Sequence, residues 1–127
     1  MNTTTTFSSL KGIPKKWTKL LRKCGITVVN VSGMDSESWG ATYYPDLKVI
    51  AFYEEPTVTA IAHELVHVMQ EQVGRLLPEV IFPEELYDEL RNVGYGEAYL
   101  EREAEAYLLE RTPEVIYEMC LSVLTNE

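Results

Sequence analysis

"TAIAHELVHVMQEQ", Thr59–Gln72, carries both histidines of this 127-residue chain. His63 and His67 stand four residues apart, with Glu64 directly after the first. Wound as a helix at about 100° per residue, Val58, Ile61, Ala62, Leu65, Val66, Val68, Met69 and Val73 form one broad apolar arc. His63, His67 and Gln70 fall together on the opposite side, Glu64 lies on the flank, and Gln72 interrupts the pattern. Two imidazoles one turn apart point the same way and can grip one cation without bending the backbone. A carboxylate projecting from the flank suits a proton-transferring base better than a ligand. The stretch therefore predicts a helix, from Pro56-Thr57 to Gly74, that packs one face and offers a metal site on another.

The neighbouring segments predict the frame around that helix. Trp17, Leu20, Leu21 and Cys24 recur at helical spacing between Pro14 and Gly25, which marks a first helix. Three strands follow: "ITVVNVS" (Ile26–Ser32), "ATYYP" and "LKVIAFYEE", with turns at "GMDSESWG" and Pro45-Asp46. Beyond Gly74 come a loop with Pro78 and Pro83, a short helix in "PEELYDELR" and a hinge-like "NVGYGE". A helix over Glu97–Glu110 and a last one in "TPEVIYEMCLSVL", with Thr112 as N-cap, complete the chain. Strands first and helices after give an α+β class with a small three-stranded sheet. Residues 1–127 make one domain, and residues 1–12 read as a polar, mobile tail.

Composition narrows the function classes. A formal charge of −9 argues against nucleic acid as a main partner, because binding there neutralises phosphates with Lys and Arg. The lysines of "KGIPKKWTKLLRK" read as a solvated helix face. No apolar run has the length to span a bilayer, and the first residues lack the basic flank and apolar stretch of a signal peptide. Two isolated cysteines, Cys24 and Cys120, fit reduced thiols, so a cytoplasmic protein is expected.

A zinc hydrolase needs three protein ligands and an open position for water. With no third histidine, the remaining candidates are carboxylates or a cysteine. In "GEAYLEREAEAYLLE", Ala98, Ala104, Leu108 and Leu109 share one side of the wheel, extended by Leu100 and Tyr107. Glu101 falls in the middle of that arc with Glu105 beside it, whereas Glu103, Glu110 and Tyr99 point away and Arg102 sits on the flank. A carboxylate in an apolar face is costly unless a cation or several hydrogen bonds hold it. Glu101 is therefore the expected third ligand, with Glu97 as fallback, and Glu105 is expected to accept the Nδ1 hydrogen of His63.

"HELVH" followed by "EREAEAY" resembles the gluzincin branch of the zincin metallopeptidases. The layout is similar to minigluzincins and ImmA/IrrE-type peptidases, and has the flavour of small phage-encoded metallopeptidases. The resemblance implies a zincin-like fold, Zn²⁺ held by His63, His67 and Glu101, Glu64 as general base, and a protein or peptide substrate. Glu105 stands where the family has Asp or Asn. No motif carries over the oxyanion-stabilising residue, so Tyr87, Tyr95 and Tyr99 are candidates. "KVIAFYEE" is expected to pair with extended substrate along the cleft, or to be plain sheet core. A deformylase-like site with Cys24 or Cys120 as ligand is one rival. A zinc-binding, non-catalytic interaction module is another, as is a latent enzyme whose segment Cys120–Glu127 fills the cleft.

Overall fold

In the computed structural model, which describes residues 3–5, 12–31 and 40–124, a small mixed sheet is covered by helices, an α+β arrangement. The sheet order is β1-β2-β4-β3, where β1 is Thr3–Thr5, β2 Thr27–Asn30, β3 Ala41–Tyr44 and β4 Val49–Phe52. β2 and β4 run parallel, with Val28 opposite Ile50, and β3 returns antiparallel to β4 with Thr42 opposite Ala51. The three expected strands are β2, β3 and β4. A fourth comes from the expected tail: Thr3–Thr5 pairs antiparallel with β2. Threonine is β-branched and suits a strand, which the reading of this tract as a polar tail overlooked. Residues 1–2 and 6–11 and most of the "GMDSESWG" turn lie outside the described residues.

The helices are α1 (Lys15–Lys23), α2 (Val58–Val73), α3 (Glu84–Asn92), α4 (Leu100–Leu109) and α5 (Pro113–Val123), with a 3-10 turn at Glu97–Tyr99 leading into α4. Each matches an expected helix to within a few residues. α2 begins where the Thr57 hydroxyl accepts the Ala60 amide, a side-chain cap on one of the helix's free N–H groups. It ends at Gly74, whose φ of 82° a residue with a Cβ adopts only under strain. Thr112 occupies the start of α5, but its hydroxyl donates back to the Leu109 carbonyl instead of capping forward.

The core joins α1 (Trp17, Leu20, Leu21), the sheet (Val28, Ile50, Phe52), α2 (Ile61, Leu65, Val66, Met69) and α5 (Ile116, Cys120). α2 packs against α5, α4 and β3, so it is covered on several sides at once. Val73, placed by the wheel on the apolar arc, is 55% exposed because the arc outlasts its cover at the last turn. On α1, Lys15, Lys19, Arg22 and Lys23 lie at the surface, as expected of a solvated face. Lys16 pairs with Glu114 and lies against the Tyr117 ring.

Burial at the two ends of this core sets unequal stability costs. Trp17 is 1% exposed and meets Tyr117 edge-on at 5.4 Å. Trp17→Ala is expected to lose about 3–5 kcal/mol in urea unfolding, whereas Val73→Ala should stay within about 0.5 kcal/mol of the parent.

Candidate metal centre

The side of α2 that bears the histidines is largely covered. His63, Glu64 and Gln70 are buried with the apolar residues, and α4 lies across them. A buried polar face needs partners, and α4 supplies them. One Glu103 oxygen lies 3.1 Å from His63 Nε2 and the other 2.9 Å from His67 Nε2. His63, His67 and Glu103 each offer a donor atom, and the three lie within 4.8 Å of one another. Among the described residues they are the one such group of three, so they can hold a metal ion. Two imidazoles and a carboxylate are a donor set suited to Zn²⁺.

Glu103, not Glu101, completes the cluster. The Glu101 carboxylate is 55% exposed; it takes a hydrogen bond from Tyr87 and pairs with Arg75 at 3.0 Å. The wheel assumed one apolar face with Leu108 in it, and Leu108 is exposed. α4 is in fact covered on several sides: Leu100 and Ala104 pack with Phe82 and Leu90, while Ala106 and Leu109 join the main core. The remaining side, carrying Glu103, Tyr107 and Glu110, faces α2. Glu97 is likewise exposed, bound to Arg91 at 2.6 Å.

The expected His63–Glu105 hydrogen bond is replaced by His63–Glu110, at 2.7 Å from Nδ1. Glu105, fully buried, accepts instead from Gln70 and from the backbone amides of Leu76 and Leu77. Cys24 ends α1 and Cys120 sits in the core; neither belongs to the cluster. Cys120–Leu124 packs with α5 against the core and does not line the cleft, while residues 125–127 lie outside the described residues.

A pocket of about 530 Å³ opens over the cluster, bounded by β3, α2 and α4. Glu64 lines it together with Tyr95, Tyr99 and Tyr107. Of the three tyrosines expected near the site, Tyr95 hydrogen-bonds with Tyr107 and Glu103, Tyr99 stands half-exposed at the rim, and Tyr87 lies outside on Glu101. Tyr107, which no motif singled out, meets the His63 ring edge-on at 4.7 Å. The strand along the pocket is β3, because β4 is paired on both sides. Tyr53 donates to the Gly40 carbonyl, so by alternation the amides of Ala41 and Tyr43 point to the outer edge. The Tyr43 backbone beside Glu64 favours the charged form of its carboxylate.

The site is strongly polarised. Burial pushes the Glu64 carboxyl up to about 7 against the opposing pull of both histidines. Burial alone would lower His63, but its hydrogen bonds to Glu103 and Glu110 outweigh that and raise it to about 9. Burial disfavours the Glu103 charge, yet the two imidazoles win and hold it down at about 2. Searches of protein-family models, curated proteins and solved structures gave no match to this chain. No helix among the described residues is long and apolar enough to cross a membrane.

These shifts fix the sign of a pH effect on the metal-free fold. The raised Glu64 removes stability as pH climbs from its ordinary 4.5 to about 7. The His63 contribution is full below 6.5 and is lost as pH rises through about 9. Urea midpoints measured with chelator should therefore fall steadily from pH 5 to 9.5. In Glu64→Gln the decline below pH 7 should flatten while the part above it persists.

Proposed function

We propose that this chain is a zinc-dependent peptidase, a gluzincin-like hydrolase with His63, His67 and Glu103 as ligands and Glu64 as general base. The observation that carries the reading is the three-donor cluster at the floor of a pocket that also holds a buried carboxylate. A purely structural zinc site usually closes all four positions with protein ligands. Here the donor group numbers three among the described residues, which leaves a position for water. When bound, Zn²⁺ supplies a Lewis acid that brings the pKa of a water down toward about 7 and polarises a carbonyl.

The chain's own residues account for the remaining work. Glu64, poised near neutrality by burial, takes a proton from the attacking water and returns it to the leaving amine. Tyr95 and Tyr107 have raised pKa values, first through burial, and so stay neutral hydroxyl donors beside the developing oxyanion. An extended peptide is expected to add along the outer edge of β3, where Ala41 offers its amide and carbonyl.

Glu64→Gln should retain zinc by elemental analysis and lose about 10²–10⁴-fold in peptide cleavage rate. Glu103→Ala should lose its zinc, with Glu101→Ala as the loaded control; equal zinc in both variants would overturn the ligand assignment. Zinc bound stoichiometrically without cleavage of any peptide in a proteome-derived library would favour the interaction-module reading instead.

A further inference from the structure

Gln70 lies one turn beyond His67 and is buried, with His67 half-buried beside it. Its amide nitrogen donates to a Glu105 oxygen at 2.7 Å and to the Arg102 carbonyl at 3.1 Å. Both partners are pure acceptors, so the NH₂ end of the amide can face only them. The Gln70 oxygen is thereby turned toward His67 Nδ1, at 2.8 Å. An amide oxygen only accepts, so Nδ1 must carry the hydrogen and Nε2 is the nitrogen directed at Glu103.

Glu105 is the fixed end of this chain. It is fully buried, and its two oxygens also accept the backbone amides of Leu76, at 3.0 Å, and Leu77, in the segment after α2. Arg75 Nε stands 3.8 Å from the same carboxylate. Every group around Glu105 is a donor, which leaves Gln70 no orientation but the one observed.

We infer that Glu105 and Gln70 form a directional hydrogen-bond relay that locks His67 with its hydrogen on Nδ1 and Nε2 presented for metal binding. The two histidines are thus oriented by different means: His63 by the carboxylate of Glu110, His67 by a neutral amide whose direction a buried anion dictates. Gln70 and Glu105 are positioning residues that act through His67. The value of the relay to zinc binding rests on the metal reading above; the orientation of the ring does not.

Because the chain has two histidines, ¹⁵N-histidine labelling gives two rings, and long-range ¹H–¹⁵N spectra report which nitrogen bears hydrogen in each. In the wild-type chain, with chelator or with Zn²⁺, the His67 Nδ1 hydrogen should exchange with water slowly. In Gln70→Leu it should exchange at least tenfold faster, while the His63 ring keeps its signals. Zinc affinity, measured by chelator competition, should fall about tenfold or more in Gln70→Leu and Glu105→Gln. An Nδ1 hydrogen that exchanges equally fast in wild type and Gln70→Leu would overturn the relay. A chain that takes up no zinc yet keeps a Gln70-dependent slow hydrogen would sink the metal reading and leave the relay standing.

Discussion

The structure turns on a single carboxylate shared by two imidazoles. Glu103 reaches across from α4 and meets Nε2 of both His63 and His67, so that the two helices are joined through polar groups rather than through a greasy seam alone. The constraint behind this is the burial of α2 on its histidine side as well as its apolar side. Desolvated polar groups cost free energy unless each finds a partner. Glu103, Glu110 and Glu105, together with the Arg102 carbonyl, meet that demand from one facing helix. Among the described residues no buried side-chain polar atom is left without a hydrogen-bond partner.

That arrangement separates three tasks among glutamates that look alike in sequence. Glu103 sits at the cluster, Glu110 orients one imidazole, and Glu105 ties Gln70 to the segment after α2. Glu101 and Glu97 do none of this and spend their charge on surface arginines. Position on α4, and not residue type, assigns the work.

The helices, the strands β2 to β4 and the histidine pair were legible in the sequence because each has a local cause. Thr57 caps α2, Gly74 ends it, and the spacing of His63 and His67 puts their rings on one face whatever surrounds them. The identity of the third donor was not legible by the same means. A wheel finds the side of a helix that faces a core only when there is one such side, and α4 has several neighbours. Leu108 tilted the reckoning toward Glu101 although solvent covers it. The signal that pointed elsewhere was the alignment of Glu103, Tyr107 and Glu110 at i, i+4 and i+7, a polar stripe matching the polar stripe of α2. The place of β3 at the sheet edge was hidden for a different reason: strand order follows from long-range pairing, which alternation along one strand does not encode.

The enclosure of α2 by α4, α5 and β3 also bears on what a metal ion held at this cluster would do to the fold. Backbone amides in the middle of such a helix belong to the unit that opens only when the whole molecule unfolds. In zinc-finger modules the ion drives folding, so that emptying the site dissolves the scaffold. Here hydrophobic packing already fastens the helix on which both imidazoles ride, so an ion taken up at the cluster would replace protons on a standing framework.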